Sequence, residues 1–228
     1  MSESSSQTKA DYLEELYRFR FPTDDAPKRR RIWQAIVEIS LQPLIPPHSC
    51  VLDLGSGQGE FLNQVRAARR IGVDLNPDNG KRLEAGIEFH AADVRELPFL
   101  AGGSVDVVFS SNFLEHLPDK SAVDATLREA ARVLKPGGRL ILMGPNMRVI
   151  PGAYWDFWDH MVPITDNSIC EALILAGLRI ERRVPRFLPY TTRSSAPKAD
   201  WIVRLYLRMP LFWQIFGEQF LVVARKPG

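Results

Sequence analysis

The chain predicts a doubly wound α/β protein, and three observations carry that prediction. Short apolar runs alternate with helical patterns between residues 51 and 143, the mark of parallel strands joined by crossover helices. A glycine-rich turn follows the first of those runs, where open parallel sheets bind their ligands. The length of 228 residues, 45% hydrophobic and 25% charged, suits one large domain with additions and excludes a wholly disordered or fibrous chain.

The elements follow in order. Residues 1–10 are polar and Ser-rich and read as a disordered tail, lacking the apolar stretch behind a basic start that a secretory signal requires. Residues 11–47 read as an N-terminal helical cap, because Ile32, Trp33, Ile36, Val37 and Ile39 share a broad helical face that Pro43, Pro46 and Pro47 terminate. Cys50-Val51-Leu52-Asp53-Leu54 forms the first strand, and Phe61, Leu62 and Val65 mark a helix beyond the glycine turn. Strands follow at 71–75, 87–91 and 105–109, the last apolar almost throughout, as a strand covered on both faces is. A helix at 121–134 starts where Ser121 and Asp124 resemble a capping box, runs through Val123, Leu127, Ala130, Ala131 and Leu134, and stops at Pro136-Gly137-Gly138. Then come a strand at 139–143, an aromatic-rich loop at 145–163, a helix at 166–176, a strand at 178–184, one apolar helix at 200–216 and a final strand at 219–224.

Composition narrows the function. The 29 Lys and Arg against 27 Asp and Glu leave a net charge of +2, too little for a protein that coats nucleic acid, so no nucleic acid is expected and the partner is a small molecule. No run of about 18 uncharged apolar residues is present, which excludes an ordinary membrane-spanning helix. Cys50 and Cys170 lie far apart beside apolar runs and read as inert core thiols of a reducing, cytoplasmic compartment. No ligand cluster stands out along the chain, so no metal is expected.

Gly55-Ser56-Gly57-Gln58-Gly59 sits at the carboxyl end of the first strand. Glycines there let a ligand touch the backbone and permit unusual dihedrals. A dinucleotide fingerprint wants glycine at the sixth position, which here is Glu60. That carboxylate opposes a pyrophosphate and favours a nucleoside ligand without phosphates. Asp74, at the end of the second strand, is placed to hold both ribose hydroxyls. Asp93, after the third, can accept a hydrogen bond from the exocyclic amino group of adenine.

Four blocks then carry a family resemblance: residues 51–59, Gly72-Val73-Asp74-Leu75, Ala92-Asp93-Val94 and Leu134-Lys135-Pro136-Gly137-Gly138. Their order and spacing resemble class I S-adenosylmethionine-dependent methyltransferases, and Asn112-Phe113-Leu114-Glu115-His116-Leu117 resembles the type 11 group. The resemblance covers roughly residues 48–145. It implies a Rossmann-like, mostly parallel seven-stranded sheet with helices on both faces and an antiparallel C-terminal strand. It also implies a methyltransferase domain at 48–228 with an acceptor-side insertion at 145–165. Carried over by position, Gly55, Ser56 and Gly57 cradle the methionine portion of S-adenosylmethionine, with Asp53 near its amino group. Asp74 holds the ribose, Leu75 packs on adenine, Asp93 and Val94 read the adenine edge, and Asn112 lies beside the sulfonium.

The acceptor side is less determined. An activated methyl requires an in-line nucleophile shielded from water, and a hydroxyl acceptor gains from a general base. His116, Asp156, Asp159 and His160 are the candidates. His116 is either a cofactor wall or a base. Asp159 beside His160 is either a tautomer-fixing pair above the ligand crevice or an ordinary loop histidine with a neighbouring acid. Tyr154, Trp155, Phe157 and Trp158 either close over the acceptor or make a small core. The late apolar helix, with Arg204 and Arg208 on one face, is either core or a peripheral membrane or lipid-linked acceptor contact. Lys28-Arg29-Arg30-Arg31 is either a solvated face or a site for an anion. The activity expected is methyl transfer to a small-molecule acceptor, at oxygen first. Its rivals are a non-catalytic S-adenosylmethionine-binding module and a nicotinamide-dependent oxidoreductase, the latter opposed by Glu60.

Overall fold

Seven apolar runs become strands in a computed structural model that describes residues 26–190 and 200–228. They are β1 (Cys50–Leu54), β2 (Arg69–Asp74), β3 (Glu88–Ala91), β4 (Val105–Ser111), β5 (Leu134–Pro145), β6 (Arg179–Val184) and β7 (Gln219–Arg225). They pair in the order β3-β2-β1-β4-β5-β7-β6. The pairs among β1 to β5 are parallel, and β7 runs antiparallel between β5 and β6. The chain reverses its direction of sheet growth between β1 and β4, so a crevice opens at their carboxyl ends.

Strand alternation divides the core. Leu52, Leu54, Leu140 and Leu142 face one layer with Val123, Leu127 and Ala130 of α2 (Lys120–Val133) and Ile169 and Leu173 of α3 (Asp166–Leu175). Val51, Ile141 and Met143 face the other, against Ala35 and Ile36 of α1 (Ala26–Ile36), Leu207 of α4 (Asp200–Arg208) and Trp213 of α5 (Pro210–Phe216).

Four local expectations change. Phe61, Leu62 and Val65 are buried as their spacing requires, yet residues 55–65 form successive turns rather than a helix. Gly59, at φ 77°, stands just before that stretch, in which Asn63 N donates to Gly59 O and Val65 N to Phe61 O without a continuous helix forming. The 121–134 helix starts one residue earlier than expected, at Lys120, with Asp119 as its cap, accepting from the Ala122 N–H at 2.8 Å. The expected capping box of Ser121 and Asp124 is therefore not the one used: Ser121 donates to Asp119. The single late helix is two, because Pro210 has no N–H to continue α4 and becomes the first residue of α5 instead. Residues 1–25, which include the expected tail and the start of the cap, lie outside the described residues.

Within the basic run Arg30 and Arg31 are exposed, as on a solvated face, while Arg29 is half-buried, and each of the three pairs with a different carboxylate. Arg29 reaches Glu60 at 3.1 Å, Arg30 reaches Glu84 at 2.7 Å and Arg31 reaches Asp200 at 3.1 Å. Helix α1 is thereby fastened to the glycine turn, to the segment before β3 and to α4. In the late helices, Leu207 and Trp213 are buried while Trp201, Leu211 and Ile215 are exposed. No helix among the described residues is long and apolar enough to cross a membrane.

Candidate active site

Asp53 is directly opposite Gly72 of β2 and Phe109 of β4 in the strand register. It brings a carboxyl to the base of the glycine turn, buried to 3% exposure. Burial, reinforced by the Glu60 and Asp74 carboxylates, pushes its pKa well above the ordinary aspartate value. No hydrogen bond or ion pair holds this carboxyl among the described residues, so its surroundings favour the neutral form, and a cation placed beside it would favour the charged one.

The turn above it is built for close approach. Gly55, Gly57 and Gly59 take φ of 70°, 50° and 77°, a region that side chains disfavour. A Cβ on Gly55 would stand 2.2 Å from Phe113 Cδ2, and one on Gly59 would stand 2.4 Å from Leu83 Cδ2. The Gly55 and Ser56 N–H groups both donate to Val73 O, at 2.9 and 3.0 Å. Asp74 closes the turn from the neighbouring strand: its Oδ2 accepts from Gly57 N at 2.9 Å and its Oδ1 from Asn76 N at 2.9 Å. Glu60 stands beside Arg29, which also donates to Gln58 Oε1 at 2.7 Å. Burial nevertheless raises the Glu60 pKa, with Arg29 opposing that rise.

The other expected cofactor positions fall around this cradle in different states. Leu75, beyond the tip of β2, is 51% exposed, open for a flat ring to pack on. The Val94 side chain is taken up by the core, and Asp93 holds Arg95 through both carboxylate oxygens. Asn112, at the end of β4, is the non-glycine residue with positive φ, 49°, among the described residues. Its N–H donates to Met143 O at 3.0 Å, which locks the ends of β4 and β5 together.

Beyond Asn112 the chain turns through Leu114–His116 and meets the aromatic loop. His116 Nδ1 lies 3.1 Å from Asp159 Oδ2 and 3.1 Å from Asp159 O. Asp159 therefore engages His116, across the cleft, in addition to being the sequence neighbour of His160. Burial disfavours the charged His116, but the Asp159 hydrogen bond and the Glu115 and Asp159 charges outweigh it and raise its pKa above the ordinary histidine value. His160 is buried, stacked on Phe157 and edge-on to His116, with ring centroids 4.9 Å apart in both pairs. Tyr154 packs against His160 and donates its hydroxyl to Val162 O. The small-core reading of the aromatic loop holds for Tyr154, which is fully buried, while Trp155 and Trp158 are exposed.

Three contributors were not legible as such in the sequence. Phe113 walls the glycine turn, Arg29 steadies it, and Glu115 joins His116 and His160 with a buried carboxyl whose pKa burial raises. One oxygen of Glu115 and one ring nitrogen each of His116 and His160 lie within 4.8 Å of one another. The absence of metal-ligand spacing along the chain is therefore no guide to the folded protein. Glu115 and His116 are adjacent, but His160 arrives only through the path of the loop.

Comparison with known proteins fits this arrangement. Residues 52–142 match the family model described as a methyltransferase domain. That match gives residues 52–142 as a methyltransferase domain, in line with the resemblance read from the sequence. A 2-methyl-6-phytyl-1,4-hydroquinone methyltransferase of Synechocystis is 30% identical over 180 residues, covering 70% of this chain and 51% of that protein. A ubiquinone biosynthesis O-methyltransferase of Xanthomonas axonopodis is 36% identical over 113 residues, covering 45% of this chain and 46% of that protein. The chain spans about half the length of such curated relatives. In structure, the methyltransferase domain and its flanks resemble a SAM-dependent methyltransferase from Archaeoglobus fulgidus, with TM-score 0.66, 21% identity and coverage of 94% of this chain and 99% of that one. That likeness establishes the seven-stranded, mostly parallel fold with its antiparallel β7.

Proposed function

We propose that this protein transfers a methyl group from S-adenosylmethionine to a small-molecule acceptor, with oxygen as the accepting atom. The observation that carries the reading is the buried Asp53 beneath a glycine turn that Asp74 closes. A ligand with an ammonium group, a ribose and no phosphate matches these features one by one. The ammonium offsets the burial of Asp53, the ribose hydroxyls take up Asp74, and the glycine backbone admits the chain between them. A nicotinamide dinucleotide would instead bring its pyrophosphate against Asp53, Glu60 and Asp74.

S-adenosylmethionine supplies a methyl group already activated on a positive sulfur. The protein's share is alignment and exclusion of water. Asn112, held in its left-handed conformation by Met143, marks where the reacting end meets the acceptor side. An oxygen acceptor must lose a proton, and His116 is equipped to influence that loss. Asp159 occupies Nδ1, which leaves Nε2 as the lone pair turned to chemistry. His160, fixed among Phe157, Tyr154 and His116, backs that ring. The O-methyltransferase and hydroquinone methyltransferase names of the relatives favour a phenolic or hydroxyl acceptor, and the exposed apolar face of Trp201, Leu211 and Ile215 favours a hydrophobic one.

Calorimetric titration with S-adenosylhomocysteine and with NAD tests the cofactor, and a panel of phenols, quinols and amines with labelled methyl donor tests the acceptor. Binding of NAD alone would reverse the reading. Binding of S-adenosylhomocysteine without turnover over a broad panel would favour a binding module.

A further inference from the structure

The acceptor side contains a set of donors that the reading above leaves partly unused. Glu115 is fully buried, and its Oε2 would lie 3.8 Å from a Cβ built on Gly144 at the carboxyl end of β5. His116 follows it directly, and His160 stands edge-on to His116 with centroids 4.9 Å apart. One donor atom from each lies within 4.8 Å of the others. The main chain holds them together: Met161 N and Val162 N, just after His160, both donate to Glu115 O, at 2.8 and 3.1 Å.

We propose that Glu115, His116 and His160 bind a divalent first-row transition cation, which holds the acceptor oxygen next to the transferred methyl. This rests on the methyltransferase reading and adds the means by which the acceptor is held. Three features support it. Two imidazoles and one carboxylate are a donor set that zinc, manganese, iron and cobalt accept, and three protein ligands leave positions open for an acceptor. Ligands at about 2.0–2.2 Å from such an ion stand roughly 3–3.5 Å apart, a spacing compatible with three donor atoms that all lie within 4.8 Å of one another. Most telling is Asp159, which engages His116 Nδ1 with both its carboxylate and its carbonyl. A metal-bound histidine almost always has such a carboxylate or carbonyl on its other nitrogen, and it fixes the ring and its tautomer. His116 keeps 28% side-chain exposure, which gives the cluster an open edge toward the cleft.

In the loaded protein the Nε2 lone pair of His116 holds the ion, and the ion, rather than a free imidazole, acidifies the acceptor. A hydroxyl bound to the cation loses its proton to solvent, and its oxygen then attacks the methyl carbon. The new bond is O–C, the broken bond is C–S, and sulfur keeps the electron pair, so no oxidant or reductant enters.

The experiment uses the full chain stripped with a chelator and dialysed. Zn2+ and Mn2+ are titrated by calorimetry, and Co2+ is followed by its visible absorption, a readout that needs no acceptor. One ion per chain, with a cobalt spectrum of mixed nitrogen and oxygen ligation, is expected. Glu115→Gln and His160→Gln should abolish it. Asp159→Asn, a milder change that keeps the cluster, should weaken it roughly 10- to 100-fold. Circular dichroism checks folding of each variant, and Asp159→Asn decides the matter if the buried variants do not fold. Unaltered affinity in a folded Asp159→Asn, Glu115→Gln or His160→Gln variant overturns the site. So does a stripped wild-type chain that binds none of the three ions. S-adenosylhomocysteine is titrated into the same sample: its binding to a chain that binds none of the three ions removes the cation site and leaves the methyltransferase reading, whereas failure of both the ions and S-adenosylhomocysteine to bind removes both.

Discussion

Gly57 donates its backbone N–H to Asp74 Oδ2 at 2.9 Å, so the glycine turn after β1 and the tip of β2 form one unit. The carboxylate proposed to hold a ribose also shapes the turn proposed to cradle the methionine portion. Binding and local order are therefore coupled at this residue.

Asp74→Ala should weaken S-adenosylhomocysteine binding by about 1–3 kcal/mol, through loss of charge-assisted hydrogen bonds and of the turn's support. Calorimetry on the folded variant measures this. Unchanged affinity would remove Asp74 from the site.

Gly55→Ala should cost stability in two ways that a control separates. At φ 70° any side chain is strained, and its Cβ would also meet Phe113. Gly86 has φ 84° and open space around it, so Gly86→Ala carries the backbone strain alone, about 1–2 kcal/mol. Denaturant unfolding should show Gly55→Ala to be the more destabilised. Equal losses would mean that Phe113 does not wall the turn.

The Asp53 carboxyl predicts a pH dependence. Burial first, then Glu60 and Asp74, hold its folded-state pKa well above the ordinary value. The folded protein therefore keeps the proton over an interval in which the unfolded chain has released it. Stability falls as pH rises from about 4, the unfolded value, through the folded pKa. Asp53→Asn removes that ionisation. The variant should be more stable at neutral pH, show a flatter profile above about pH 4, and bind S-adenosylhomocysteine more weakly. Urea midpoints across the range check the first two expectations, and a variant no more stable than wild type at neutral pH would contradict them.

Arg29 should matter more than a surface arginine, since it serves both Gln58 and Glu60 with little exposure. Arg29→Ala leaves Glu60 half-buried without that partner, an expected loss of about 1–2 kcal/mol. Adding Glu60→Gln to it should recover part of the loss, because the stranded charge is then gone. A double-mutant cycle in denaturant measures the coupling, and strictly additive losses would deny it.

The inner strands were legible from their apolar runs, with ends displaced by a few residues, because a strand buried on both faces must be apolar along its length, whereas β3 and β6, at the edges of the sheet, are more polar and more exposed. The helix expected around Phe61, Leu62 and Val65 shows the limit of that logic. Its buried spacing is met by turns, since successive turns can bury Phe61, Leu62 and Val65 as a helix would. The late helix failed differently: the period ran on through Pro210, where the missing N–H divides it.

By itself the sequence determined the sheet, the glycine turn and the acidic tips of β1 and β2. Each of these depends on chemistry within a few neighbouring residues, and the parallel topology carries such tips to one edge. Only the tertiary structure decided that Asp159 meets His116, that Arg29 steadies Glu60, and that Glu115 and His160 share a cluster. Those pairings rest on where an aperiodic loop and an arginine-bearing helix come to lie, and packing against distant elements sets that path.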